Sequence, residues 1–262
     1  MPDARTLRRT FLAGAALALA AASALVPAQA RSLEAIRKSG TLIIATEGKF
    51  PPFNFMKDQK PVGFEMDVAE AVAKKMGLKV EWRVLSFDAL LVGLAQDRFD
   101  EVIASHGITP EREKAVTFAH PHYCTGGIIV ARDPAIRTAK DLEGKLVAVQ
   151  TGTTYLESVR KLPGLKGVKN FPSDSDARTA LMTGHVDAWV TDKFVARDAM
   201  AALPNSGMHL GDFLFVERVA AAVQKGNQPL VDAIDKGLDA IMADGEYAAI
   251  SQKWFHEDIR CK

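Results

Sequence analysis

The chain has 262 residues, 48% apolar and 25% charged, with 33 Lys plus Arg against 32 Asp plus Glu for a formal charge of +1. This is ordinary globular material, which excludes a disordered or fibrous polypeptide, and its length suits one large domain or two small ones. Near neutrality leaves neither the basic footprint of a nucleic-acid binder nor a polybasic membrane patch.

Residues 1–30 read as an export signal: Arg5, Arg8 and Arg9 precede the apolar run 11–26, and Ala28-Gln29-Ala30 is a small-residue cleavage site. The mature chain is therefore expected to begin at Arg31, in the periplasm. Arg8-Arg9 followed by Thr10-Phe11-Leu12 fits a twin-arginine address, with a general secretory signal as the alternative because Leu7 and Ala13 depart from the fuller pattern. The apolar run is shorter than the ~20 residues that span a bilayer. Without three basic residues and one acidic one, 30 Lys plus Arg face 31 Asp plus Glu, about −1.

Next, short apolar runs alternate with helical patterns. Strands are expected over 41–46, 79–84 and 100–104, with helices over 66–76, ended by Gly77, and 87–96, capped by Ser86. A second set follows Tyr123, with strands over 128–131, 146–150 and 188–191 and helices over 155–161, 177–183 and 194–202. Such alternation implies an α/β fold whose mostly parallel sheets are covered by helices on both faces. The last part differs: a strand over 219–224, a Gly226-Asn227 turn, and helices over 230–242 and 247–255 separated by Gly245. No low-complexity linker divides the two sets, so ordered strands must join them and flexibility must reside at hinges.

Three motifs sit where α/β folds bind ligands, at the carboxyl ends of strands. In Ile108-Thr109-Pro110-Glu111-Arg112 a Thr able to cap and a Pro suited to the first turn start a helix from which Arg112 projects, an anion clamp in outline. Gln150-Thr151-Gly152-Thr153-Thr154 follows a strand and opens a helix, so amides and hydroxyls meet an anion at a positive helix end. Asp192 stands just past a buried strand, able to accept from an ammonium or to cap the helix that follows. Asp187 reads as structural. His120 and His122 with Cys124 lack further spaced ligands, so no metal is expected. Cys124 and Cys261 both lie in the exported part, where a single disulfide is the simplest expectation and two unpaired thiols the alternative.

Set beside Gly63-Phe64-Glu65-Met66-Asp67-Val68-Ala69, the Arg112 loop resembles the polar amino-acid branch of the periplasmic solute-binding proteins that serve ABC importers. The resemblance implies a two-lobed, Venus-flytrap α/β fold with two mostly parallel sheets and hinge strands: residues 31–125 plus 224–262 as the first lobe and 126–223 as the second. It implies that Arg112 holds an amino-acid carboxylate, that Thr153 and Thr154 close on it, and that Asp192 takes the ammonium. Phe50 and Phe87 match rings that sandwich the ligand side chain, while Phe53 and Phe99 read as core. Glu47, Ser105 and His106 are candidates for reading that side chain, and a carboxylate at Glu47 suits lysine, arginine, ornithine, histidine or glutamine. Gly107 departs from the family, which usually carries Ser or Thr there. The implied partners are an amino acid or related small carboxylate and an ABC permease in the inner membrane; a monomer without cofactor is expected. The rival is an enzyme like cyclohexadienyl dehydratase on the same fold, with Glu47, His106 and Asp192 as acid or base.

Overall fold

The computed structural model describes residues 30–261. The expected export signal over residues 1–30, with Arg8-Arg9, lies outside the described residues except for Ala30. In chain order the first elements are α1 (Leu33–Ser39), β1 (Thr41–Thr46), β2 (Lys49–Phe50), β3 (Asn54–Lys57), β4 (Lys60–Val62), α2 (Phe64–Lys75), β5 (Lys79–Val84), α3 (Phe87–Ala95), β6 (Glu101–Val102) and α4 (Pro110–Ala115). The long strand β7 (Val116–Ala131) leads to β8 (Leu146–Gln150), α5 (Thr154–Arg160), β9 (Gly167–Phe171), α6 (Asp174–Met182), β10 (Ala188–Asp192) and α7 (Lys193–Ala202). A second long strand, β11 (His209–Gln224), precedes α8 (Gln228–Ala243) and α9 (Glu246–Phe255).

The apolar runs become central strands because both of their faces are covered. β1 lies between β5 and β6, parallel to both, and Leu42, Ile44 and Ala45 are fully buried there. β8 holds the matching position between β9 and β10, again parallel to both, and buries Val147, Ala148 and Val149. Between these parallel trios run β7 and β11, antiparallel to each other from Val116↔Gln224 to Ala131↔His209 with several register shifts. The two expected parallel sheets are thus the ends of one hydrogen-bonded series, β5-β1-β6-β11-β7-β10-β8-β9, beside a small antiparallel sheet β2-β3-β4.

The helices match expectation within a few residues, whereas β7 and β11 extend well beyond the expected 128–131 and 219–224. Pro121 and the pair Gly126-Gly127 weaken any local strand signal in β7, and its ladder is supplied by β11 some ninety residues away. β9 was not expected at all; it is an edge strand with little buried apolar surface. Ser86 stands at the N-cap of α3 as expected, but its side chain makes no capping bond. Arg31 pairs with Asp100, whose carboxylate also accepts from Ile43 N at 2.7 Å, so the segment before α1 is tied to the sheet. Trp189 is fully buried and donates its indole N–H to Asp174 at 3.0 Å. Phe53 and Phe99 are core, and Asp187 is structural, accepting from Leu146 N at 2.7 Å. Cys124 and Cys261 are joined in a disulfide. Among the described residues no helix is long and apolar enough to cross a membrane.

Candidate functional site

The carboxyl ends of β1, β6 and β8 converge on one narrow cleft, lined by Glu47, Phe50, Phe87, Ala104, Ser105, Arg112, Gln150, Thr153, Thr154 and Tyr155. A wider groove of about 820 Å³, lined by Thr125, Lys161, Lys193, Phe213 and Glu217 among others, adjoins it at Thr154 but is open to solvent. The smaller cavity is the better candidate, because it collects buried polar groups where the strands end.

Arg112 is placed by its local sequence. Thr109 Oγ1 accepts from Arg112 N at 3.2 Å and caps α4, with Pro110 in the first turn. The guanidinium then reaches across the site, Nη1 donating to Gly107 O at 2.7 Å and Nη2 to Gly152 O at 3.0 Å. These contacts bridge the β6 and β8 ends of the cleft. Burial holds the Arg112 pKa below its usual range, with Glu217 and Glu157 opposing the shift. Both bonds go to carbonyl oxygens rather than to a carboxylate, which leaves the guanidinium charge for an anion.

Glu47 and Gln150 make the second bridge: Gln150 Nε2 donates to Glu47 Oε1 at 2.6 Å. Burial raises the Glu47 carboxyl to about 8, against the opposing hydrogen bond from Gln150. Gln150 was not singled out from sequence, although its place at the end of a buried strand was the available signal. Tyr155 was likewise missed, since its role depends on how α5 meets β11.

The other expected residues divide. Thr153 lines the cavity, but its hydroxyl donates to Gln150 O at 2.7 Å and accepts from Leu156 N at 3.2 Å, capping α5. Thr154 Oγ1 donates to Glu217 Oε2 at 2.9 Å. Ser105, with φ of 57°, turns its amide and hydroxyl onto Glu65 at 2.7 and 3.0 Å. That fully buried carboxylate also takes Asn54 Nδ2 at 2.8 Å and faces His122 Nε2 at 3.0 Å, making Glu65 the hub that shapes the loop leading to Gly107.

His106 is not among the lining residues. It stacks behind Phe87, ring centroids 4.3 Å apart, and burial holds its pKa well below the usual value, so the imidazole is neutral. Arg112 lies 5.8 Å from the Phe87 ring centroid. Phe50 reaches the cavity from β2, stacked on Phe53 at 5.9 Å. Asp192 is also outside the lining: Oδ1 takes Phe194 N at 2.6 Å and Val195 N at 3.3 Å as the cap of α7, and Oδ2 takes Thr125 Oγ1 at 2.6 Å. Gly107 forms a bridge to Val219 on β11. Among the described residues no group of three or more His, Cys, Asp or Glu side chains could hold a metal ion.

The geometry agrees with comparisons to known proteins. Residues 42–257 match the model of bacterial extracellular solute-binding proteins, family 3. The L-cystine-binding protein TcyJ of Escherichia coli K12 is 31% identical over 231 residues, 87% of each chain. An ancestral arginine-binding protein solved with arginine superposes with a TM-score of 0.78 at 41% identity, covering 82% of this chain and 98% of that one. An ancestral amino acid-binding protein, AncCDT-1, described as a precursor of cyclohexadienyl dehydratase, superposes with a TM-score of 0.79 at 33% identity, covering 85% of this chain and 99% of that one. On its match over most of its length, and with an Arg-bearing cleft between two parallel sheet ends, the chain belongs to the bacterial extracellular solute-binding proteins of family 3.

Proposed function

We propose that the protein is the extracytoplasmic receptor of an ABC importer and holds one polar or cationic L-amino acid in the cavity between its two halves. The observation that carries this reading is Arg112, a half-buried guanidinium held by carbonyls from both sides of the cleft at 2.7 and 3.0 Å. Its fork suits a ligand carboxylate, and Glu47 beside Gln150 suits a cationic or amide side chain between Phe50 and Phe87. The ligands of the similar proteins, arginine and L-cystine, are amino acids. Residues 31–125 with 224–262 would close on residues 126–223 about β7 and β11, and the closed monomer would dock on its permease after export to the periplasm.

The enzyme reading has less support. An acid–base set needs its members on one substrate, yet His106 stands behind Phe87 and Asp192 is engaged by Thr125 and the α7 cap. The similar protein related to cyclohexadienyl dehydratase is itself described as amino acid-binding.

Calorimetry with arginine, lysine, ornithine, histidine, glutamine and cystine tests the proposal. At least one should bind, and Arg112→Ala should weaken it by about 2 kcal/mol, near thirtyfold, because a desolvated carboxylate loses its charged partner. Unchanged affinity in Arg112→Ala would show that Arg112 is not the anchor.

A further inference from the structure

Glu65 is not a wall of the cleft, yet bonds run from it to both of the groups proposed to hold the ligand. Phe64 N and Glu65 N donate to Pro52 O and Phe53 O at 3.0 and 2.9 Å, which seats the start of α2 against the segment between β2 and β3. The Glu65 side chain is fully buried there. Oε1 takes Ser105 N at 2.7 Å and faces His122 Nε2 on β7 at 3.0 Å, while Oε2 takes Asn54 Nδ2 at 2.8 Å and Ser105 Oγ at 3.0 Å. A carboxylate has about four lone-pair sites, so each one here meets a donor. Two braces lead from this point to the cleft. Asn54, also fully buried, accepts Gly48 N on its Oδ1 at 3.0 Å, next to Glu47. Ser105 begins the turn to Gly107, whose carbonyl takes Arg112 Nη1 at 2.7 Å.

Arg112 suits the head group of an amino acid and Glu47 the tip of its side chain. The groups that act electrostatically on Arg112 are Glu217, Glu157 and Tyr155, and those that act on Glu47 are Asp174, Lys49 and Asp88, so the two stand apart in the cleft. Because both braces start from one buried carboxylate, their separation is held by a single frame. We infer that Glu65 is a positioning residue that fixes the length of side chain this site accepts, acting through Asn54 on Glu47 and through Ser105 and Gly107 on Arg112. The inference rests on the amino-acid receptor reading and deepens it. Glu65→Gln would put an NH2 in place of one acceptor. On the Oε1 side that group would face Ser105 N, a donor fixed in the backbone, so it takes the Oε2 side, where the Ser105 hydroxyl can rotate to accept and Asn54 must turn its amide over. Asn54 then presents an NH2 to Gly48 N, and the brace behind Glu47 is lost. Adding Asn54→Asp supplies acceptors for both Gly48 N and the new amide.

The test measures affinity along series that lengthen the side chain: L-2,4-diaminobutyrate, L-ornithine and L-lysine; L-2-amino-4-guanidinobutyrate, L-arginine and L-homoarginine; L-asparagine and L-glutamine; L-cystine and L-homocystine. The wild type should prefer one length in at least one series by about tenfold or more. Glu65→Gln should cut that ratio to about threefold or less, and Glu65→Gln with Asn54→Asp should return it to within about twofold of the wild type. Asn54→Leu, which removes the Gly48 brace and leaves Glu65 in place, should cut the ratio likewise. A role confined to stability would lower the melting temperature and leave the length ratio where it was. A ratio unchanged in folded Glu65→Gln or Asn54→Leu protein, or one that the double variant does not restore, overturns the inference and leaves the receptor reading standing. So does a wild type that binds these ligands without preferring a length, or a failure of all three variants to fold, which would make Glu65 part of the fold alone. A wild type that binds none of the ligands overturns both.

Discussion

At the scale of single residues, a side chain's chemistry in this cavity depends on what lies behind it. Glu47 is the clearest case, because burial raises its carboxyl to about 8 and it is therefore mostly protonated at neutral pH until a cation arrives. A guanidinium or ammonium placed against it would favour the ionised form, lower its pKa and expel the proton. L-arginine should therefore release more protons on binding at pH 7 than L-glutamine, which carries the same head groups. Calorimetry in buffers of different ionisation enthalpy reads this directly, and Glu47→Gln should erase the difference. Equal release by both ligands in the wild type would place the side chain elsewhere. Thr153 shows the converse: its hydroxyl is occupied in capping α5, so position alone does not make it a ligand contact.

At the scale of elements, the short strand β6 carries an unusual group. Glu101 is buried beneath α2 and α8 in a cavity lined by Val68, Ala69, Val72, Ile103, Ile234 and Leu238, and burial with Asp100 beside it raises its carboxyl from 4.5 to about 8. The folded protein thus binds more protons than the unfolded chain between these two values, and stability falls as pH rises through that window. Glu47, Asp174, Glu217 and Asp192 are all shifted in the same direction by burial. The unliganded protein should melt at a higher temperature at pH 5 than at pH 8, and Glu101→Gln should make that dependence shallower. A slope identical to that of the wild type would mean that Glu101 ionises without cost.

At the scale of the whole molecule, the disulfide closes the longest covalent loop. Cys124 lies on β7 and Cys261 follows α9, 137 residues apart, and Cys124 N also donates to Ile259 O at 3.3 Å. The bond thereby fastens the end of the chain to a strand that runs between the two parallel sheet ends. In the chain-entropy model a loop of this length contributes roughly 4–5 kcal/mol, acting on the unfolded state. Cys124→Ser with Cys261→Ser should lower the urea midpoint accordingly, and the reduced wild type should behave like the double variant. Midpoints that do not move on reduction would contradict that account.

What could be read from the sequence alone is what acts over a few residues. The Thr109 cap with Pro110 that aims Arg112, the stops at Gly77 and Gly245, and the helical and strand periods of the central elements depend on neighbours three or four positions away. An expected export signal and an even cysteine count point to the Cys124–Cys261 pair that the structure contains. Only the tertiary structure decided the rest of the site, because each remaining partner lies far along the chain. Gln150 meets Glu47 across 103 residues, Thr154 meets Glu217 across 63, and Ser105 turns to Glu65 across 40. The same holds for β7, whose Pro121 and Gly126-Gly127 hide a strand until β11 supplies its hydrogen bonds. A hydroxyl's single proton goes to whichever acceptor the closed sheet brings nearest, and local sequence carries no trace of that choice.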